Sequence, residues 1–329
     1  MEKLDKLIDN ESFNWYEKNY KPCIVLFQDE KDGIFEVTDL LKNIKQKNKT
    51  YYFIDNKQKC RFCGQSAPSV TFKDKAHTFP EFLGNKLFVN KNSECDNCNH
   101  KFGENYEPDL SKFLLPFLTL DQIKGKKGTR KYKSNDHNSI VSSENDKLKI
   151  EETVGYSKLI RDDDNKQISY SFDVPQYSML NVYKSILKMA LSIIPENKID
   201  LLKYKFYSLN EDNPHGDEVV QFCFYPGFKR FGLNVFLYER IDINNHKIPL
   251  YQFAVMCNNF MLQIPIYGDC DINNLNGERF DMQLYQIPSP FDKNEIYGDV
   301  KIKNIINMGI VEKHTETIIL KYDSMKESN

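Results

Sequence analysis

The chain has 329 residues, 40% of them hydrophobic and 28% charged, the ordinary balance of a soluble globular protein with room for two or three domains. No apolar run reaches 18 residues, so no membrane span is expected. The N-terminus is charged from its second residue and lacks the apolar core of a secretion signal. The net charge of −2 neither supports nor excludes a nucleic-acid partner, because positive charge can gather on one face.

Residues 1–55 read as an N-terminal helix and hairpin region. Leu4, Leu7, Ile8, Phe13 and Trp15 fit a short amphipathic helix; 23–27 and 34–37 flank a turn and fit a β-hairpin; Leu40, Leu41 and Ile44 predict a helix over 38–50. Residues 56–120 hold the densest pattern. Cys60 and Cys63 form one Cys-x-x-Cys pair, Cys95 and Cys98 a second, and residues 64–94 lie between. Two such knuckles have the spacing of a tetrahedral zinc site, and four protein ligands leave no open position, so the zinc is structural. The other four cysteines (Cys23, Cys223, Cys257 and Cys270) are scattered and read as free thiols of a reducing, cytoplasmic compartment.

Between the knuckles, 69–72 predict a strand leading toward His77, Pro80 and Gly84 break the chain, and 86–89 predict a return strand. Asn85 reads as a turn former. A helix is expected from about Cys95, with Phe102, Tyr106, Leu110 and Phe113 facing the core, and Pro108 either kinking it or opening a second helix. Residues 121–173 are read as a basic loop with hairpins. Lys124, Lys126, Lys127, Arg130, Lys131 and Lys133 sit without an acid among them; they suit phosphate neutralisation or, alternatively, a solvated loop. Asp162 to Asp164 read as a hairpin turn.

Residues 174–329 predict an antiparallel sheet packed by helices. Leu180, Tyr183, Leu187, Ala190 and Ile194 form a helical stripe ended by Pro195, with Lys184 and Lys188 on what reads as a solvated face. A shorter helix is expected over 197–207. Strands are expected at 219–225, 233–238, 251–257, 281–287 and 317–322.

The phrase His77-Thr-Phe-Pro-Glu-x-Leu-Gly-Asn85 and the run Cys95-x-x-Cys-Asn-x-x-Phe102 make the knuckle segment resemble an HNH endonuclease, the ββα-metal nucleases, in the subfamily with two zinc knuckles. The resemblance covers about 50 residues by its motifs. The fold it implies is α+β: a zinc-braced ββα-metal module followed by the C-terminal sheet-and-helix domain.

By that resemblance His77 is the catalytic histidine and Asn99 the last motif position, holding a magnesium or manganese ion through its side-chain oxygen. A neutral imidazole suits the deprotonation of a water attacking a phosphodiester. Asn99 could instead cap its own helix; His100 is a second possible ligand, though adjacent helical positions diverge by about 100°. Many HNH enzymes place an acid before the histidine, where this chain has Ala76; Glu81 is the nearest substitute and Glu107 a second. The middle motif residue falls on Asn92 in preference to Asn90. The expected function is therefore a metal-dependent endonuclease acting on nucleic acid, DNA foremost, with analogy to phage-defence or mobile-element effectors and with a protein partner or second copy engaged through the C-terminal domain. The alternative is a non-catalytic, zinc-stabilised binding module.

Overall fold

The computed structural model describes residues 10–29, 33–34, 44–47, 50–54, 58–125, 128–144, 147–227, 232–274, 287 and 300–322. Helix α1 (Asn10–Asn19) leads into a long strand, β1 (Tyr20–Asp29), which turns back through β2 (Gly33–Ile34). Strands β3 (Ile44–Lys47) and β4 (Thr50–Ile54) follow. The helix expected over 38–50 is thus replaced by strand at 44–47; residues 35–43 lie outside the described ones. The run Lys45-Gln46-Lys47 has too few apolar neighbours to hold a helix to a core, and β3 pairs instead with β4, from Ile44 opposite Phe53 to Lys47 opposite Thr50.

The cysteine-bounded segment adds β5 (Ala76–His77) and β6 (Phe88–Lys91), then α2 (Asp96–Asn105), α3 (Glu107–Phe113) and α4 (Leu115–Leu120). Pro108 lies in the first turn of α3 and Pro116 in the first turn of α4, where a missing backbone donor costs nothing. The strand expected at 69–72 does not form: those residues run as turn and coil, because Thr71, Lys73 and Asp74 bond to the Asp96 carboxylate and not to a neighbouring strand. The return strand begins two residues later than the 86–89 run. The order β3-β4-β6-β5 makes a four-stranded sheet, with β4 and β6 parallel and β5 and β6 antiparallel.

Beyond it lie hairpin β7 (Lys124–Gly125) and β8 (Gly128–Thr129), β9 (Tyr132–Lys133), hairpin β10 (Ser139–Glu144) and β11 (Lys147–Glu152), then β12 (Leu159–Asp162), β13 (Gln167–Val174) and β14 (Tyr177–Ser178). The long helix α5 (Met179–Ile193) precedes α6 (Lys203–Ser208), β15 (Val220–Phe224), β16 (Leu233–Arg240), β17 (Tyr251–Cys257), β18 (Phe260–Ile266), α7 (Asp269–Asn274), β19 (Lys301–Ile305), β20 (Ile310–Val311) and β21 (His314–Lys321). The strand expected at 281–287 falls outside the described residues except for Ile287.

A seven-stranded antiparallel sheet, β19-β15-β18-β17-β16-β1-β2, organises the chain. Strand β1 pairs with β16 from Tyr20 opposite Arg240 to Gln28 opposite Leu233, so the N-terminal strand belongs to the sheet built by the C-terminal half. Strands β15, β17 and β18 are buried at every position. One face carries the main core with α5; the other packs Tyr16 and Tyr20 against Phe236, Met256 and Met261.

Burial on both faces replaces alternation with continuous apolar runs. Strand β18 was not among the expected strands; it contains Pro265, a residue that argues against a central strand. Helix α5 is buried at every position but Asn181, which corrects the solvated face expected for Lys184 and Lys188: both are under 4% exposed. No helix among the described residues is long and apolar enough to cross a membrane.

Candidate active site and zinc centre

The two knuckles meet. The four Sγ atoms of Cys60, Cys63, Cys95 and Cys98 all lie within 4.8 Å of one another, and Cys63 and Cys95 are 3.8 Å apart. A tetrahedron with metal–sulfur bonds of about 2.3 Å has edges of about 3.8 Å, so the donor set and its spacing fit a structural zinc. The Cys60 thiol is held down at about 5, chiefly by the hydrogen bond from Cys98, and the same contact pushes Cys98 up. Packing of Phe62 on Phe102, 4.9 Å between ring centres, seats the first knuckle on α2.

The backbone between the knuckles is fixed by Asn85, which is fully buried. Its amide donates to the carbonyls of Phe79 and Phe88, and its oxygen accepts from the backbone of Leu87 and Phe88. Gly84 beside it takes φ 88° at the end of a short 3-10 turn, a conformation open to glycine. At the far end, Asp96 opens α2 and gathers Thr71, Lys73 and Asp74. His77 is held between these anchors, with Val89 opposite it on β6.

His77, Glu81, Asn99, His100, Arg130 and Lys131 line one cleft of about 800 Å³. The Nδ1 of His77 is enclosed, and its Nε2 lies 3.3 Å from Glu81 Oε1, so Nε2 is the nitrogen turned toward the cleft. Glu104, Glu107 and Lys75 also contribute to the wall. The strand carrying His77, the turn carrying Glu81 and the helix carrying Asn99 therefore open onto one space.

Residues 60–115 match the family model of HNH endonucleases. The segment carries the HNH signature with two zinc knuckles. The match spans 56 of the 329 residues. The chain matches none of the curated proteins and none of the solved structures compared with it.

Other expected residues of the HNH segment are placed as follows. Asn92 takes φ 63° in the turn after β6 and is not in the cleft wall. Asn90, two residues earlier and within β6, is buried and accepts from Thr78 Oγ1 while donating to Glu94 and Ser192. His100 pairs with Asp74 at 2.8 Å. In the basic run, Lys124 and Lys133 are exposed outside the cleft wall, and Lys126 and Lys127 lie outside the described residues. Arg130 donates to the carbonyl and hydroxyl of Ser111, tying the basic hairpin to α3, and burial lowers its basicity.

Burial also raises the Glu107 carboxyl, against the pull of Lys188 and with the push of Glu94 and Glu81. Among the described residues, the cysteines are the only cluster of three or more His, Cys, Asp or Glu that could hold a metal ion. The cleft wall itself offers the carboxylates of Glu81, Glu104 and Glu107 and the Asn99 carboxamide, donors that suit an ion completing its shell with water and phosphate oxygens. Three residues that support the HNH segment were not expected: Lys188, Arg61 and Glu94. An isolated Lys on a helix carries no spacing signal that distinguishes a buried ion pair from a solvated one.

Proposed function

We propose that the chain is a metal-dependent endonuclease that hydrolyses phosphodiester bonds of nucleic acid, with DNA as the favoured substrate. The observation that carries this reading is the convergence of His77, Glu81 and Asn99 on one cleft whose wall also carries Lys75, Arg130 and Lys131. In it, β5, β6 and α2 form the ββα unit of the family.

The chemistry follows from the chain's own groups. The cleft-facing Nε2 of His77 accepts the proton of an attacking water, and the Glu81 carboxylate beside it stabilises the imidazolium that results. Lys75, Arg130 and Lys131 neutralise phosphate without reading bases. Asn99, with Glu81 or Glu107, would hold a magnesium or manganese ion, which when bound polarises the scissile phosphate and supports charge on the leaving oxygen. Asn90 secures the strand that bears His77 through Thr78, so the middle motif role falls to it in preference to Asn92. A place in phage defence rests on architecture alone.

The non-catalytic alternative draws on Ala76, which withholds the usual acid from the cleft. The two separate on incubation with plasmid and single-stranded DNA, with and without Mg²⁺ or Mn²⁺, beside His77→Ala. Metal-dependent cleavage lost in His77→Ala supports the nuclease; retained cleavage in that variant, or binding without cleavage under every condition, overturns it.

A further inference from the structure

The HNH match ends at residue 115, yet one contact that fixes the backbone of His77 comes from beyond it. Lys188, midway along α5 and 2% exposed, donates from Nζ to the His77 carbonyl at 2.8 Å. The same ammonium lies 3.2 Å from the carboxylate of Glu94, whose side chain is fully enclosed, and 5.8 Å from the Phe102 ring centre. Glu94 in turn accepts from Asn90 at 2.7 Å, and Asn90 donates to Ser192, one turn along α5 from Lys188.

Arg61, in the first knuckle, closes the far end of the arrangement. Its guanidinium donates to the carbonyls of Leu191, Ser192 and Ile194, the last turn of α5, where carbonyls have no partner within the helix. Helix α5 is therefore pinned to the β5–β6 pair at its middle and to a zinc knuckle at its end.

We infer that Lys188 is a positioning residue for the nuclease site: it fixes the carbonyl of His77, and with it the imidazole, from a helix rooted in the seven-stranded sheet. This rests on the nuclease reading of His77. An ammonium this deeply enclosed is costly to desolvate and persists only when fully paired; Glu94 pairs its charge, and the His77 carbonyl takes a second of its three donors. A carbonyl held by a rigid helix cannot drift, and a displacement of about 1 Å at a reacting group can lower a rate by about a hundredfold. The site is complete only with a helix from outside the HNH segment, which places its geometry under the control of the C-terminal half.

The test uses the full chain. Lys188→Met alone strands the Glu94 charge in the interior, a change that threatens folding itself, so the deciding variant is Lys188→Met with Glu94→Gln, a neutral pair of similar volume of the kind that buried ion pairs tolerate. Two readouts are taken with zinc content measured: steady-state cleavage of plasmid with Mg²⁺ or Mn²⁺, and amide hydrogen exchange at His77 and Thr78. With zinc retained and β17 still protected, exchange at His77 and Thr78 should rise at least about tenfold, and kcat should fall about ten- to a hundredfold with KM little changed. Lys188→Arg, which keeps charge and donors, should recover part of both. Unchanged exchange in the double variant overturns the inference. If wild-type protein cleaves nothing while the exchange at His77 and Thr78 still rises in the variant, the nuclease reading fails and the positioning contact stands.

Discussion

Asn85 and His77 lie eight residues apart, and the sequence distinguishes their roles by neighbourhood. Asn85 follows glycine at a chain reversal, which marks a turn former; in the fold it satisfies four backbone groups and reaches no solvent. Asn85→Ala leaves those groups unpaired and should cost about 3 kcal/mol, measured by urea denaturation of the zinc-loaded protein. His77 is marked by its place between two knuckles. His77→Ala should lower cleavage by about 10²–10⁴-fold with zinc content and melting unchanged. Glu81→Gln should lower kcat less than His77→Ala does, since it removes only support for the imidazolium. Lys188 illustrates what a single sequence hides: its partners, Glu94 and the His77 carbonyl, are 94 and 111 residues away, and no periodicity within α5 points to them.

At the scale of elements, local chemistry was legible and pairing was not. Knuckle spacing, the start of α2 at Cys95 and the second helix opened by Pro108 all follow from residues close in sequence. The strand expected at 69–72 fails because Asp96 of α2, 25 residues beyond Thr71, draws in the segment: its carboxylate accepts from the Thr71 hydroxyl and the Lys73 and Asp74 amides, and its own amide donates to the Thr71 carbonyl. Strand β13 shows a related tie. Its Asp173 accepts from Lys158, Tyr132 and the Asn135 amide. Burial pushes the Asp173 carboxyl up, but these partners outweigh it and hold it below the ordinary value. A carboxyl lowered in the folded state stabilises above its unfolded value of about 3.9 and loses that contribution as pH falls through the folded one. Asp173→Asn should therefore cost about 1–3 kcal/mol at pH 7 and much less near pH 2, as read from denaturation at the two pH values. Chelating the zinc, or Cys95→Ser, should melt the cysteine-bounded segment, visible as lost protection of β5 and β6.

For the molecule as a whole, the apolar runs and the helical stripe of residues 174–329 foretold a sheet packed by helices in the second half, but not that β1 would cross into that sheet or that α5 would be shared. Strand β1 joins β16 more than two hundred residues later, a pairing that neither strand's sequence encodes by itself. Arg61 binds the last carbonyls of α5 from within the first knuckle. Arg61→Met should cost about 1.5–3 kcal/mol and loosen α5 together with the knuckle, seen as faster hydrogen exchange in both.

Cleavage assayed on full-length protein and on His77→Ala, each carrying its zinc, tests the central claim most directly. Plasmid and single-stranded DNA are offered with Mg²⁺, with Mn²⁺ and with no added ion. The expected result is cleavage by the wild-type chain that requires the added ion and vanishes in the variant, while both proteins retain equal zinc and equal DNA binding. Cleavage that persists in His77→Ala, or DNA binding by the wild type with no cleavage under any ion, contradicts it.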